Sequence, residues 1–464
     1  MRRAPKLAQQ VADRIEREIL DQRLPRGHRL GAEGDLTARY GVSRAVLREA
    51  IRLVERHQLA ETRRGAGGGL FVSQPAGEAV ARVMCAYLES IGLEVRELFE
   101  AQRLIEQPVV HFAAVRGSRE QAQELEEILL EHPESISIEE DAELFRRFNA
   151  KLGELSKSPV LALYAQTLRG AAVHIGMGLQ FSKADQRATF RVFWERYAAI
   201  ARAIATHEAE RAETQLLDFL DFNEREWLAR RRRTRRAIDT PKRGDALARE
   251  MSEEIYRRGL EPGTPLGTEA ELTAYYEVSR AAFREAVRLL EQHGVAEMLR
   301  GHGLVIAEPD PGAVTRSASA YFAHLKLSVE SLSEARLALE PAAATHAAER
   351  ASDDQLAELV GELGIFLSLE ESQTADAARA LHEHIAALAG SRALMLFTRV
   401  SIAASWGLNQ IPRRELPRDA LETIRGNYTR IVGAIHDRDA ERARRLMRDH
   451  IELSIEWARA RNRP

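Results

Sequence analysis

A chain of 464 residues can bury several hydrophobic cores, and its formal net charge of −3 excludes a uniformly basic nucleic-acid binder, so any affinity for DNA must come from local patches. Alanine, leucine, glutamate and arginine dominate. The one cysteine, Cys85, excludes an intrachain disulfide and a cysteine-rich zinc site, and reads as a small buried hydrophobe.

The N-terminal stretch MRRAPKLAQQVADRIEREIL has no continuous apolar leader and no segment is long enough to span a bilayer, so a cytoplasmic protein is expected. Within residues 1–77, Leu36, Tyr40 and Val42, then Val46 or Leu47, Ile51 and Val54, space their apolar side chains as two short helices across a tight turn. Ser43 is placed to cap the second helix. The arginines that follow, Arg44 and Arg48, stand one turn apart on one face and can offer forked donors to guanine edges or phosphates. Glu49 is expected to orient an arginine. Two strand-like stretches, Leu59 to Glu61 and Leu70 to Val72, flank Arg63-Arg64-Gly65-Ala66-Gly67-Gly68-Gly69, the composition of a glycine-tipped wing.

Gln74 to Gly77 breaks the pattern, and residues 78–229 read as amphipathic helices. A basic linker, 230–243, contains the arginine run Arg230 to Arg236, read as a solvated helix end with auxiliary phosphate contact as the alternative. Residues 244–311 then repeat the opening domain. Aligned without a gap from Leu30 and Leu266 to Arg64 and Arg300, roughly 21 of about 35 positions are identical, which marks an internal duplication. The second copy presents Ser279, Arg280, Arg284 and Glu285, and a shorter tip, Arg300-Gly301-His302-Gly303. A second break, Glu308 to Gly312, precedes another helical set over 312–464. The fold class expected is mainly α: two winged helix-turn-helix domains, each followed by an all-α helical bundle. An ordinary helical hairpin would also show the apolar spacing, but duplication of both arginines and both wings favours a reader of DNA.

The stretches LTARYGVSRAVLREAIRLVERHQLAE with RRGAGGGLFV, and VSRAAFREAVRLLEQHGVAE with RGHGLVI, resemble the winged helix of the GntR superfamily. The resemblance implies a bacterial, nucleoid-associated transcription factor, with DNA contacts at Arg44, Arg48, Arg64 and Gly65 in copy one and Arg280, Arg284, Arg300 and Gly301 in copy two. Ser43, Arg63, Ser279 and His302 complete the candidate DNA-binding set. The chain departs from the family where a proline and arginine usually precede the first helix: Gly31 and Gly34 stand there, and Gly267 and Ala270 in copy two. Glu277 replaces the turn glycine Gly41, a strain cost if that backbone is left-handed.

The helical regions resemble the FCD effector domain of the FadR branch, through FNAKLGELSKSPVL and LHEHIAALAGSRAL and the later YAAIARAIATHEAERAETQLLDFL and YTRIVGAIHDRDAERARRLMRDHI. In that domain an aspartate and three histidines often hold a divalent metal. Carried over, those positions are Phe145, Asn149, Tyr197 and Phe219 in copy one, implying no metal, and Ala378, His382, Tyr428 and His450 in copy two. His382 and His450 would hold a metal only weakly, so no cofactor is required. Arg336, four residues before Glu340, matches the family's carboxylate-binding arginine, where copy one has Gln102 and Glu106. Candidate effector-binding residues are therefore Arg336, His382, Tyr428 and His450, with Asn149 and Tyr197 in copy one. A structural pair with Glu340 is the alternative for Arg336, and His384 is expected at the surface.

The function expected is a ligand-responsive transcriptional regulator acting on double-stranded operator DNA, built as a covalent pseudo-dimer that serves as a monomer or pairs as a homodimer. Its effector is a small molecule with a carboxylate as one candidate group, and the short proline-marked joins should let sensor packing move the readers. An architectural DNA-binding protein that has lost effector sensing is the alternative. An enzyme is not expected, since no nucleophile elbow, phosphate loop or complete metal triad is present.

Overall fold

The computed structural model describes residues 7–22, 24–56, 59–65, 67–73, 77–130, 138–177, 183–231, 244–258, 260, 263–292, 295–299, 301–307, 311–325, 327–408 and 419–461. The basic linker, with its arginine run beyond Arg231, lies outside them, as do Arg300 and the breaks at 74–76 and 308–310. The chain divides into two compact units, one of Met1–Ser90, Asp239–Leu327 and Trp406–Leu408, the other of Ile91–Ile238, Ser328–Ser405 and Asn409–Pro464.

The first unit contains both readers. Copy one runs α1 (Leu7–Asp21), β1 (Arg29–Gly31), α2 (Glu33–Tyr40), α3 (Arg44–Arg56), β2 (Ala60–Arg63) and β3 (Gly69–Val72), followed by α4 (Gly77–Ser90). In the second unit the copy-one sensor is α5 (Val95–Arg116), α6 (Arg119–Leu130), α7 (Ile138–Ser156), α8 (Pro159–Met177), α9 (Lys183–Ala205) and α10 (Ala209–Arg231). The copy-two reader is α11 (Gly244–Arg257), β4 (Pro265–Gly267), α12 (Glu269–Tyr275), α13 (Arg280–Gln292), β5 (Ala296–Leu299) and β6 (Gly303–Ile306), followed by α14 (Pro311–His324). Its sensor is α15 (Val329–Arg350), α16 (Asp353–Ser368), a short 3-10 turn at Glu371–Gln373, α17 (Thr374–Leu388), α18 (Arg392–Leu408), α19 (Ala420–His436) and α20 (Ala440–Arg461).

Each reader buries a small core at its three-helix junction: Val11, Ile15, Leu36, Leu47, Val54 and Leu70 in copy one, and Leu247, Met251, Leu272, Phe283, Leu290 and Leu304 in copy two. Each wing is three-stranded and antiparallel, in the order β1-β3-β2 and β4-β6-β5. The sequence pattern missed β1 and β4, whose three residues are too short for alternation to be legible. Gly69 and Gly303 are required here. A Cβ on either would lie 2.4 or 2.3 Å from the carbonyl oxygen of Gly31 or Gly267 on the adjacent strand.

Two boundaries differ from those the sequence implied. The helices α4 and α14 belong to the reader unit rather than to the sensors, because they pack on each other and Ala320 of α14 enters the copy-one reader core. Pro311 and Gly312, read as a break, open α14. Proline is tolerated in a first helical turn because its missing N–H has no partner there.

In the second unit each sensor is built around one long helix. In copy one α5 packs against α7, α8 and α10, and in copy two α15 packs against α17, α19 and α20. The two sensors meet through reciprocal ion pairs. Arg116 Nη2 lies 2.8 Å from Glu334 Oε1, and Arg350 Nη2 lies 2.8 Å from Glu100 Oε2. Arg116 and Glu100 occupy in α5 the places that Arg350 and Glu334 occupy in α15, so each contact is the other's counterpart under duplication. Tyr164 stacks on its own counterpart, Phe397, with ring centroids 4.5 Å apart. Such self-complementary pairing is the signature of an isologous two-fold interface, here made within one chain.

Candidate nucleic-acid interface and sensor cores

The side chains of Ser43 and Ser279 accept from the N–H groups of Val46 and Ala282 at 3.3 and 3.2 Å, so both serines sit where an N-cap is needed. Beyond them Arg44, Arg48, Arg280 and Arg284 are all exposed. Arg48 Nε donates to Glu33 at 3.0 Å, and Arg284 Nε donates to Glu269 at 3.1 Å. The carboxylate that orients each arginine thus comes from the preceding helix, not from Glu49 or Glu285 as the sequence suggested. Position i+1 on a helix points away from i, whereas the N-terminal residue of α2 or α12 crosses over α3 or α13. Since the contact is made through Nε, the terminal amino groups that fork onto a guanine edge are not consumed by it.

The wings place their candidates less evenly. Arg63 ends β2, where it pairs with Glu61 at 2.7 Å and covers the ring of Phe71, so it is not a loop residue. Arg64 is exposed and Gly65 follows at φ 102°, while Gly301 has φ 83° and the backbone N–H of His302 donates to Leu299. Glu277 adopts φ 49° where Gly41 adopts φ 66°, so the left-handed turn is retained with a side chain that fits it poorly.

The copy-two sensor brings Arg336, His382, Tyr428 and His450 together, all buried, around a residue that sequence reasoning treated only as a partner, Glu340. Arg336 Nε donates to Glu340 Oε1 at 2.5 Å, and His382 Nδ1 lies 2.5 Å from Glu340 Oε2. The rings of His382 and His450 stack at 5.4 Å, and Tyr428 lies 4.8 Å from His450. Burial alone would raise the Glu340 carboxyl, but the adjacent Arg336 and His382 hold it well below the usual carboxylate range. Burial pushes His450 down to about 3, leaving it neutral. Arg336 is therefore a charge already matched by an internal carboxylate. His384 is half-buried and pairs with Glu362 at 2.8 Å, rather than lying free at the surface.

The copy-one sensor keeps the acid and changes the source of its cation. Glu106 accepts from Arg169 of α8 at 2.8 Å and from Gln102 at 3.0 Å. Arg169 was missed. The signal was present: copy two has Ile402 at the position of Arg169 and Arg336 at the position of Gln102, so the arginine has moved between helices while the glutamate has stayed. Phe145, Phe148, Phe193, Tyr197 and Phe219 fill the remaining space as an aromatic cluster, with Tyr197 centroids 4.9 Å from Phe148 and Phe219. Asn149 Nδ2 donates to the carbonyl of Phe145 at 2.8 Å, and burial pushes the Tyr197 hydroxyl well up. Among the described residues no group of three His, Cys, Asp or Glu side chains is arranged to hold a metal.

A winged helix with paired, exposed arginines joined to a helical bundle with a buried polar core defines a DNA-binding regulator with a sensor domain. Comparison with known proteins agrees, copy by copy. The profile "Bacterial regulatory proteins, gntR family" matches residues 7–70 and 244–306, and the FCD domain matches 97–222 and 331–453. The chain belongs to the GntR family, with a winged helix and an FCD domain each present twice, and it is a transcriptional regulator of that family. Among its relatives are the HTH-type transcriptional repressor NanR of Cronobacter sakazakii, 27% identical over 47% of this chain and 85% of that protein, and the putative regulator RmpR of Mycobacterium gastri, 28% identical over 47% and 78%. A solved GntR structure from Streptococcus agalactiae is 26% identical, covers 46% of this chain and 99% of its own, and has a TM-score of 0.38. Among the described residues no helix is long and apolar enough to cross a membrane.

Proposed function

We propose that a single copy of this chain acts as the complete regulator on double-stranded operator DNA, in the bacterial cytoplasm, and that it has no catalytic activity. The observation that carries this reading is the reciprocal contact between the two sensors, Arg116 with Glu334 and Arg350 with Glu100, closed by Tyr164 on Phe397. A surface that pairs with its own counterpart inside the chain has no need of a second chain. Linking the readers covalently also replaces a bimolecular association by an intramolecular one. Native mass spectrometry with duplexes enriched from a random-sequence pool tests the reading. One chain of 52.0 kDa per duplex is the expected stoichiometry, and two chains per duplex would overturn it.

Effector sensing is assigned to the copy-two core. Arg336 is engaged by Glu340, so an anionic effector has to displace that carboxylate; an effector carboxylate would keep the Arg336 charge matched, and Glu340 would be left to His382, which already lies against its other oxygen. His382, Tyr428 and His450 would supply the remaining polar contacts. No metal is needed for this chemistry. DNA release on adding candidate carboxylates, lost in Arg336→Met, supports it. Duplex binding indifferent to every small molecule tried would favour an architectural DNA-binding protein.

A further inference from the structure

Duplication frees two copies to diverge, and the manner in which these readers have diverged is informative. Along the recognition helices the exposed residues of copy one are Ser43, Arg44, Ala45, Arg48, Glu49 and Arg52, and those of copy two are Ser279, Arg280, Ala281, Arg284, Glu285 and Arg288. The two sets are identical. The inward-facing residues are not: Val46, Leu47, Ile51 and Val54 have become Ala282, Phe283, Val287 and Leu290. The orienting contact has been kept as well, from Glu33 to Arg48 and from Glu269 to Arg284. Ordinary divergence runs the other way, because core substitutions disturb packing while exposed helix positions tolerate change.

General similarity between recent copies does not explain the pattern. Elsewhere in the same domains exposed positions have changed freely: Arg14 is replaced by Glu250, Arg39 by Tyr275, and Arg29 of the wing by Pro265. Arg63, which lies over Phe71, is matched by Leu299. On the face that would meet base edges every exposed residue is kept, whereas exposed positions elsewhere are mixed, and the wings, which would touch backbone and flanking sequence, have changed at Arg29 and Arg63.

We infer that the two readers recognise the same half-site word, so that the operator carries that word twice and any asymmetry lies in the flanks under the wings. This rests on the reading of α3 and α13 as base-reading helices. The face also limits the word's chemistry. Arginines fork onto guanine O6 and N7, and a glutamate carboxylate accepts from the cytosine N4 amino group, so the word contains G·C pairs.

The test is selection from a random-sequence duplex pool at fixed salt with the intact chain, and in parallel with Arg44→Ala/Arg48→Ala and Arg280→Ala/Arg284→Ala. The intact chain should enrich duplexes containing one G·C-bearing word twice, in either orientation. Each double variant should lose about tenfold or more in affinity and enrich duplexes with a single copy, the same word in both cases. Two different words, or a repeated word without G·C pairs, would overturn the inference. If no sequence is enriched by any of the three proteins, the base-reading assignment itself fails. As a second arm, Ala282→Val/Phe283→Leu/Val287→Ile/Leu290→Val, which restores the copy-one packing residues of this helix beneath the copy-two face, should leave the selected word unchanged. A shifted word would show that the buried residues, and not the shared face, set it.

Discussion

At the scale of residues, the arginines of α3 and α13 and the buried cluster around Glu340 make separable predictions. Removing Arg44 with Arg48, or Arg280 with Arg284, should weaken duplex binding by several kcal/mol, at about 1–3 kcal/mol per lost bidentate base contact. Fluorescence anisotropy at matched salt reads this directly, and an unchanged titration for either pair would remove that copy from the interface. The second prediction concerns acid stability. His450 has its folded pKa lowered to about 3 by burial, so between the ordinary value near 6.5 and about 3 the unfolded chain takes up a proton that the folded chain refuses. Stability from this group is fully present above about pH 6.5 and falls as the pH drops, by on the order of 2 kcal/mol at pH 5. The depressed carboxyl of Glu340 adds a loss of the same sign, beginning lower, as the pH falls below the ordinary carboxylate range. Calorimetric melting from pH 7 to pH 4 should show the decline, and His450→Gln should flatten its upper part; an unaltered slope in that variant would disprove the assignment.

Among the elements, the contact between α1 and α14 stands out because the duplication did not preserve it. Arg316 of α14 pairs with Glu16, which is fully buried, and lies 3.3 Å from Asp13 of the same helix. At the matching places α11 carries Ser252 and Arg249, and α4 carries Arg82, so the same bridge cannot form in the other direction. A buried carboxylate stripped of its partner costs about 3–5 kcal/mol, so Arg316→Ala should lower the unfolding midpoint of the reader unit. Adding Glu16→Gln to that variant should recover much of the loss, since the uncompensated charge is then gone. If Glu16→Gln gives no recovery, Arg316 acts through packing alone. Helix α14 of copy two is thereby fastened to the reader of copy one.

For the molecule as a whole, the interface between the sensors joins the two halves of the duplication. Its ion pairs are partly exposed, and such pairs contribute about 1 kcal/mol or less each. Most of the stabilisation should come from the apolar contact on the pseudo-two-fold axis, where Tyr164 is fully buried and its hydroxyl meets Ser401 Oγ at 2.8 Å. Tyr164→Ala is accordingly expected to cost about 3–5 kcal/mol, against little for Glu100→Gln with Glu334→Gln. Urea unfolding followed by tryptophan fluorescence separates the two, and equal losses would mean that the charges carry the interface.

Read alone, the sequence established the duplication, the helical class, the two winged helices and the exposed arginines, because each is written locally: in apolar period, in a serine at a helix start, in glycines at a tip. It also located Arg336, His382, Tyr428 and His450, through a family pattern rather than through physics. What it left open depends on which helices become neighbours. The orienting acid of Arg48 is fifteen residues away at Glu33, the cation of Glu106 comes from α8 at Arg169, and the two sensors close on each other through residues more than two hundred positions apart. Such pairs leave no periodic trace, since a charge on one helix constrains a charge on another only after both have packed. Tertiary structure alone decided that the copy-two arginine is already neutralised, that α4 and α14 side with the readers, and that one chain supplies both halves of a two-fold interface.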